Sequence, residues 1–360
     1  MINPSVVLTG IRQVKIEDRP VPSIPDPHFV KIAVKKTGCC HSDVLYFEQF
    51  QCGSFVVKKP MVLGHESSGI VVEVGDAVKN LKVGDRVACE PGVPSRYSQE
   101  YKRGIYNLCP EMIFAATPPI DGTLCRYYCL PEDFCVKLAD NVSLEEGAVF
   151  EPLSVAVHSC KLADIKFGDR VVVMGAGTIG LLVAMVAKLF GATEILIIDI
   201  IDQKLKFAKE TLKVVTHTYN SKNDRNLKPE EILELQLKAF DNKRATVALD
   251  CTGIPPCISA AIQLLEGRGR YIQVGMGPSH INNFPIGAVN EKELMIRGSF
   301  RYGPDDYATS LLLIAEGKVD VKPLITHRYK FEDVVKAYEA LESGEAIKVM
   351  VDGPEGPDDN

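Results

Sequence analysis

The alternation of apolar and polar residues predicts a strand–turn–helix–strand unit near the middle of the chain. Residues 171–174 are a short β-branched apolar run, which is typical of a strand buried on both faces. Gly175, Gly177 and Gly180 follow it in the spacing G-x-G-x-x-G, and the next apolar run ends at Asp199. This order indicates two parallel strands joined by a helix, as in a doubly wound α/β fold.

The glycine turn predicts a dinucleotide-binding site. The first glycine permits the tight turn, the second lets the backbone approach a pyrophosphate, and the third lets the helix pack closely on the strand. The candidate cofactor-binding residues of the turn are Gly175, Gly177, Ile179 and Gly180. Asp199 lies 24 residues after Gly175 and can accept a hydrogen bond from a ribose 2′-hydroxyl, so NAD is favoured over NADP. Ordinary βα units also contain glycine turns, but here the strand, helix, second strand and terminal acid follow in the required order.

The pattern on either side of this unit indicates a second domain that is rich in β structure. Residues 5–37 predict two short strands joined by a proline-rich link, and residues 69–90 predict strands separated by glycine turns, as in a small β-barrel. Further buried strands are predicted at 245–250 and 271–277. The acidic, Gly/Pro-rich segment 353–360 is predicted to be a disordered tail.

Composition narrows the class of protein. A length of 360 residues suggests two domains, and 46% hydrophobic and 24% charged residues are typical of a globular protein. The formal net charge is −6 and no basic run stands out, which argues against a nucleic-acid partner. The apolar runs are too short to span a bilayer, and the first 30 residues resemble no targeting signal, so we expect a cytoplasmic protein.

Two short stretches carry side chains that bind metals. Residues 37–43 (TGCCHSD) place a cysteine beside a hydroxyl residue and an acid in a glycine-led loop, and His65 and Glu66 are adjacent at the end of a predicted strand. A thiolate, an imidazole and a carboxylate are all good ligands of Zn²⁺. Taken singly, each stretch has an ordinary alternative. The cysteine of residues 37–43 could be a buried structural thiol, and His65 and Glu66 could be a surface pair.

Together these motifs resemble a known family. GCCHSD, GHESSGIVVEVG, VGDRVACEPG and EPLSVAVH, followed by GAGTIG, resemble the zinc-dependent medium-chain dehydrogenases. Longer stretches such as EPGVPSRYS, YNLCPEM and FAATPPIDGTLCRYY are similar to its polyol branch, the sorbitol and xylitol dehydrogenases, and most to the fungal members. The resemblance implies a GroES-like β-barrel catalytic domain over residues 1–153 and 296–360, and a Rossmann NAD-binding domain over residues 154–295.

The resemblance also implies a catalytic centre. One catalytic zinc would be held by Cys40, His65 and Glu66, with the fourth position open for water or a substrate oxygen. Glu151 would lie beside the zinc and contact the substrate or the bound water, although an acid at this position ligates the metal in some relatives. Its alternative is a helix N-terminal acid stabilised by the dipole. Ser42 would pass a proton from the alcohol towards solvent, and its alternative is a loop-capping serine.

Further residues match the positions that line the substrate and cofactor sites in the family. For Tyr46, Phe114, Thr117, Arg301 and Tyr302 the alternative is ordinary packing, which applies most easily to the aromatic pair Tyr46 and Phe114. For the lysine the alternative is a solvated side chain. The residues implied to contact substrate are Tyr46, Phe114, Thr117, Glu151, Arg301 and Tyr302. Those implied to contact the cofactor, besides the glycine turn and Asp199, are Lys204, Val274, Gly275, Met276, Ser299, Phe300 and Arg301.

Two departures from the family pattern change these expectations. Many members carry a structural zinc on four cysteines, but here Ser95, Ser98 and Tyr101 stand at three of those positions and only Cys109 remains. One thiolate cannot complete a tetrahedral site, so we expect no structural zinc. His41 stands where polyol enzymes usually have glycine, and residues 45–52 replace a more polar loop, which leaves the exact substrate open. We hypothesise that His41 meets the cofactor pyrophosphate.

The implied activity is oxidation of a sorbitol- or xylitol-type polyol to the ketose, with reversible hydride transfer to NAD. The inferred polar pocket favours polyols over simple alcohols, because an apolar substrate would leave its buried polar groups unpaired. One alternative is a zinc dehydrogenase of another secondary alcohol, such as arabinitol. Another is a nucleotide-binding paralogue that has lost catalysis. The family further implies a homotetramer.

Overall fold

The computed structural model describes residues 2–356, which form two compact units. One unit runs to Glu151 and resumes at Gly303, and the other spans Pro152–Tyr302. The predicted boundaries, 153/154 and 295/296, lie two and seven residues away from these. Of the predicted disordered tail, residues 357–360 lie outside the described residues.

The first unit begins with short strands and few helices. Its strands are β1 Asn3–Gly10, β2 Gln13–Arg19, β3 Phe29–Gly38, β4 Gln51–Cys52, β5 Phe55–Val56, β6 Met61–Val62, β7 Glu66–Val74, β8 Arg86–Cys89, β9 Gly92–Val93, β10 Ile113–Phe114, β11 Tyr127–Pro131 and β12 Cys135–Lys137. Its helices are α1 His41–Gln49, α2 Gln99–Lys102 and α3 Leu144–Ala148, and α4 Phe150–Leu162 begins where the unit first ends. Short 3₁₀ turns cover Tyr106–Leu108 and Glu132–Phe134.

The second unit alternates strands with helices. Its strands are β13 Arg170–Met174, β14 Glu194–Asp199, β15 His217–Asn220, β16 Ala245–Asp250, β17 Leu265–Gln273 and β18 Met295–Gly298. Its further helices are α5 Thr178–Phe190, α6 Asp202–Lys206, α7 Pro229–Ala239, α8 Pro255–Leu264 and α9 Ile286–Glu291, with a π turn at Phe207–Thr211 and a 3₁₀ turn at Asp224–Asn226. The chain returns to the first unit with α10 Asp306–Ala315, β19 Ile325–Tyr329, α11 Val334–Glu342 and β20 Lys348–Asp352, and with 3₁₀ turns at Lys322–Leu324 and Phe331–Asp333.

The first unit is organised around a seven-stranded sheet. Its strands run in the order β12-β8-β7-β3-β20-β19, and β11 also pairs with β3. A smaller sheet has the order β2-β1-β6. Sequence analysis predicted two strands over residues 5–37, whereas the structure has three. The missed strand, β2, is an edge strand in which most positions are exposed, so its apolar alternation is weak.

The second unit confirms the Rossmann fold. Its six strands run in the order β15-β14-β13-β16-β17-β18, and every neighbouring pair is parallel. This is the doubly wound order in which the first strand of the unit, β13, lies at the centre. Its residues 171–173 are fully buried, as the β-branched run predicted. The sixth strand, β18, spans the predicted boundary at 295/296 and belongs to this sheet.

Candidate active site

Three predicted metal ligands come together in the first unit. Cys40, His65 and Glu66 each offer one ligand atom, and these atoms all lie within 4.8 Å of one another. Cys40 caps the start of α1, Glu66 is the first residue of β7, and His65 directly precedes that strand. Antiparallel pairing of β3 with β7 sets Gly38 opposite Glu66, which brings the end of β3 and its following loop beside the histidine and the acid.

The cluster fits a zinc ion. A thiol, an imidazole and a carboxylate form a donor set that Zn²⁺ accepts, with a further position left for water or substrate. His65 is 6% exposed and Glu66 2% exposed, and Nδ1 of His65 has no hydrogen-bond partner among the residues that the structure describes. Within residues 2–356 no other group of three or more His, Cys, Asp or Glu side chains meets the same distance test.

Asp43, a residue that sequence analysis did not assign, links the loops that carry the ligands. Its fully buried carboxylate accepts from the backbone N–H of Cys40 at 3.3 Å and from that of Gly64 at 3.1 Å. Its Oδ1 also lies 3.6 Å from Nδ1 of His65. An outer carboxylate of this kind fixes the orientation of a metal-binding histidine. The acid was visible in the motif GCCHSD, but its reach to the second loop was not.

The same carboxylate governs the charge of His65 when no cation is bound. Burial lowers the pKa of His65, but the negative charges of Asp43 and Cys40 raise it, and the net pKa lies well above its usual value. A bound metal would displace that proton, because a ligating imidazole is neutral.

Lys348, also unassigned by sequence analysis, is the buried counter-ion of Glu66. Both side chains are only 2% exposed, and the ammonium forms an ion pair with Oε2 of Glu66. It also donates to the carbonyl oxygen of Cys39 at 3.1 Å. Gly38 makes room for this pair, because a Cβ there would lie 2.8 Å from Cε of Lys348 and would collide with Glu66. Lys348 is 309 residues from Cys39, so no local motif could have revealed it.

The other predicted residues of the first unit lie in different settings. Phe114 is 6% exposed, and its ring centroid is 5.9 Å from that of His65, so the structure brings it to the metal ligands. Tyr46 is buried in α1, and Ser42 is half-buried in the first turn of the same helix. Glu151 is 7% exposed in the first turn of α4. The structure also places Thr117, which is half-buried, three residues after Phe114, and His41, which is exposed, at the start of α1.

The glycine turn of the second unit fits a dinucleotide. Gly175 has φ of +94°, a left-handed conformation that favours glycine. Gly177 caps the start of α5, and a Cβ there would meet nothing within 4 Å, so the backbone is open to a ligand. A Cβ on Gly180 would overlap the carbonyl oxygen of Gly175. Asp199 ends β14, and its carboxylate accepts from the N–H of Ala176 at 2.6 Å, which ties the acid to the turn.

Three more predicted cofactor contacts lie near the glycine turn or at the ends of strands in its sheet. Lys204 is half-buried, and burial lowers its pKa although the charge of Asp199 raises it, so the lysine and the acid share one environment. Val274 and Gly275 follow β17, and both donate their N–H to the carbonyl oxygen of Asp250 at 2.8 Å. Such carboxyl ends of parallel strands are where ligands bind.

The segment after β18 carries the remaining predicted residues of this unit. Ser299 donates its N–H to the carbonyl of Gln273 at 2.8 Å, and its buried hydroxyl has no hydrogen-bond partner among the described residues. Arg301 has φ of +57°, and its guanidinium lies 4.7 Å from the centroid of the Phe300 ring. A left-handed conformation is uncommon for a residue with a side chain. Met276, which lies after β17, is 54% exposed, and Tyr302, which directly follows Arg301, is 1% exposed.

The comparisons with known proteins cover almost the whole chain. Residues 26–140 match the Alcohol dehydrogenase GroES-like domain, and residues 178–316 match Zinc-binding dehydrogenase. Sorbitol dehydrogenase 2 of Saccharomyces cerevisiae is 53% identical over 355 residues, covering 98% of this chain and 99% of the relative. D-xylulose reductase of Scheffersomyces stipitis is 48% identical over 369 residues, covering 98% and 99%.

Solved structures also match this chain over nearly its full length. An Escherichia coli oxidoreductase of unknown specificity matches with a TM-score of 0.89 and 32% identity, covering 99% of this chain and all of the other. L-idonate 5-dehydrogenase from the same organism matches with a TM-score of 0.87 and 27% identity, covering 98% of both chains. A Rossmann unit and a Cys–His–Glu cluster in one chain are the two features expected of a metal-dependent dehydrogenase. The chain belongs to the zinc-dependent medium-chain dehydrogenase family, in the branch of the fungal polyol dehydrogenases.

Proposed function

We propose that the protein oxidises a sorbitol- or xylitol-type polyol at a secondary hydroxyl to the ketose, reversibly, with NAD as the hydride acceptor. The observation that supports this most strongly is the cluster of Cys40, His65 and Glu66, in a chain about half identical to a sorbitol dehydrogenase and a D-xylulose reductase. Arabinitol-type substrates remain the second candidate. An inactive paralogue is disfavoured, because all three ligands are in place.

The chain's own residues orient the reactants and carry the proton of the alcohol away. When bound, zinc supplies a Lewis acid that makes a hydroxyl more acidic, and NAD accepts the hydride. Asp43 holds His65 in the orientation in which it can ligate. Ser42, half-buried at the start of α1, passes the alcohol's proton towards solvent. Glu151 hydrogen-bonds the substrate hydroxyls.

We further propose that Tyr46, Phe114, Thr117, Arg301 and Tyr302 contact the polyol. Phe114 has the most direct support, since its ring packs beside that of His65. A guanidinium suits a polyhydroxylated substrate because it offers several donors in a fixed plane. A simple alcohol would leave these groups unpaired, at a cost of about 1–3 kcal/mol for each buried group.

The cofactor is proposed to be NAD rather than NADP. A carboxylate at Asp199 suits the two ribose hydroxyls and would repel a 2′-phosphate. Its position against the N–H of Ala176, in the glycine turn, supports this assignment. Besides Lys204, the proposed contacts are the backbone from Val274 to Met276 and the segment from Ser299 to Arg301. The exposed His41 is proposed to reach the pyrophosphate.

One zinc per chain and no structural zinc are also proposed. Ser98, at one of the lost ligand positions, accepts from the N–H of Tyr101 at 3.1 Å and so caps α2 instead. Arg96 forms two 2.7 Å bonds to the carboxylate of Asp133 and lies 5.9 Å from the centroid of the Phe134 ring. These contacts support a segment that is held in place without a metal.

The proposal also covers the cellular location and the oligomeric state of the protein. Along residues 2–356 the structure contains no helix long and apolar enough to cross a bilayer. We propose a cytoplasmic homotetramer that acts on small molecules, with neither a nucleic acid nor a membrane as partner. Sedimentation at several protein concentrations tests the tetramer, and a monomer at all of them would contradict it.

The test of the proposed function is a screen for NADH absorbance. Sorbitol, xylitol, the arabinitols and short alcohols are each offered with NAD and with NADP, and the metal content is measured by emission spectroscopy. We expect turnover of at least one polyol with NAD, and about one zinc per chain. Dinucleotide binding without turnover and without zinc would instead indicate the inactive paralogue.

A further inference from the structure

A buried carboxyl that the proposed mechanism does not use lies directly after β8. Glu90 is 6% exposed. The hydroxyl of Tyr106 is hydrogen-bonded to its Oε1, and the same hydroxyl lies 3.2 Å from the carbonyl oxygen of Gly303. One phenol therefore lies between an acid and a backbone carbonyl, and both of these can accept a hydrogen bond.

Gly303 lies at the point where the chain leaves the cofactor unit and returns to the first unit. It is the first residue after the cofactor unit ends, and it directly follows Arg301 and Tyr302. Its N–H donates to Oδ2 of Asp306 at 2.7 Å. Its N–H and its carbonyl are thus both tied to side chains of the first unit, and they fix the backbone that leads out of Arg301, whose conformation is left-handed.

The two acceptors compete for one proton. A tyrosine hydroxyl has a single O–H to donate, and its oxygen can accept. When Glu90 is protonated, its own O–H donates to Tyr106, which then donates to the carbonyl of Gly303. When Glu90 is ionised, Tyr106 must donate to the carboxylate, and the carbonyl of Gly303 loses this donor.

The surroundings of Glu90 favour the protonated state. Burial raises the pKa of Glu90 to about 8; the hydrogen bond from Tyr106 lowers it, and the charges of Asp306 and Asp133 raise it. Asp133 is itself held by the guanidinium of Arg96 at 2.7 Å. Asp305 and Asp306 add negative charge around Tyr106, and its pKa is also raised, chiefly by burial, so the phenol keeps its proton throughout.

We infer that Glu90 and Tyr106 are positioning residues, which hold the carbonyl of Gly303 and thereby set the backbone of Arg301 and Tyr302 for the substrate. Neither residue needs to touch the polyol. This inference rests on the proposed substrate contacts of Arg301 and Tyr302. It implies that the polyol is bound less tightly once Glu90 ionises, because Gly303 is then held only through its N–H.

Two variants, compared with wild type, test the inference in the zinc-loaded enzyme. KM and kcat for the best polyol are measured from pH 6 to pH 9.5, in wild type, Glu90→Gln and Tyr106→Phe. The wild-type KM is expected to rise about fivefold as the pH passes 8, as for the loss of one hydrogen bond. Glu90→Gln should abolish that rise, since an amide donates to Tyr106 at every pH. Tyr106→Phe should show the raised KM throughout, with a smaller change in kcat.

Tyr219→Phe is the matched control. Tyr219 donates to Oδ1 of Asp224 at 2.8 Å within the cofactor unit, so this variant also removes a tyrosine–carboxylate bond. It should leave the pH profile unchanged. The inference is overturned if Glu90→Gln keeps the wild-type rise in KM, or if Tyr106→Phe behaves like Tyr219→Phe.

Hydrogen exchange separates this inference from the proposed function. Exchange of the amides in residues 301–306, corrected for the intrinsic effect of pH, should speed up above pH 8 in wild type but not in Glu90→Gln. This readout needs no turnover, so it supports or overturns the coupling even if no polyol is oxidised. Unchanged exchange in both proteins would refute the coupling.

Discussion

Replacing Lys348 with methionine should destabilise the metal-free protein far more than the zinc-loaded protein. Lys348 and Glu66 are an ion pair in which both side chains are 2% exposed. Removing one partner of such a pair leaves a buried charge uncompensated, at a cost of about 3–5 kcal/mol. When Zn²⁺ is bound, the cation compensates Glu66, and the remaining loss is the bond to the carbonyl of Cys39, about 1 kcal/mol.

The assay is urea unfolding of the metal-free and zinc-loaded forms. The chain has no tryptophan, so the transition is followed by far-ultraviolet circular dichroism. The variant should gain about 2–4 kcal/mol more from zinc than wild type does. Lys336→Met is the control, because Lys336 pairs with Asp333 in a largely exposed setting, and this variant should lose little stability in either form.

The reasoning is refuted if metal-free Lys348→Met loses no more stability than Lys336→Met. A second outcome would refute only the assignment of Glu66 as a metal ligand. If zinc stabilises wild type and Lys348→Met equally, then Glu66 is not compensated by the metal, and its assignment as a ligand fails.

Three further predictions follow from the site and the glycine turn. Asp43→Asn should weaken zinc binding by about 10–100-fold in chelator competition, because it removes the charge beside His65 and turns an N–H towards donors; an unchanged affinity would show that Asp43 does not orient the ligand. Gly180→Ala should destabilise the protein and weaken dinucleotide binding, because a Cβ there collides with its surroundings. Gly177→Ala should keep its unfolding midpoint and weaken only dinucleotide binding, measured by titration of NADH fluorescence, because a Cβ there meets nothing. Equal unfolding midpoints for the two variants would contradict this. Glu90 has a folded pKa of about 8 against an ordinary 4.5, so the stability it contributes is complete below pH 4.5 and is lost as the pH rises to about 8, by up to roughly 4–5 kcal/mol, and Glu90→Gln should flatten that part of the pH–stability curve.

The cofactor unit could be predicted because its signals are local. The β-branched run at 171–174, the glycine turn and the acid at Asp199 all lie within 30 residues or so, and each has one physical meaning in that order. The structure agrees, with β13 central in the sheet and φ of +94° at Gly175. The edge strand β18 was harder, because its residues are exposed and carry no burial pattern.

The catalytic cluster could be predicted only in part. Cys40, His65 and Glu66 were visible as residue types that bind metals, and the family resemblance joined them. Lys348 was invisible, because its role depends on β20 pairing with β3, which sets Met350 opposite Gly38. No periodicity or motif encodes that pairing. The same holds for Tyr106, whose hydroxyl contacts Glu90 and also the carbonyl of Gly303, 197 residues further along the chain.

Metal removal tests the central claim most directly. The protein is stripped of zinc with a chelator, its residual metal is measured, and NADH formation from sorbitol and xylitol is followed before and after zinc is returned. We expect activity to fall at least about a hundredfold and to return in full at about one zinc per chain. Undiminished oxidation of the polyol by fully metal-free protein would contradict the role assigned to Cys40, His65 and Glu66.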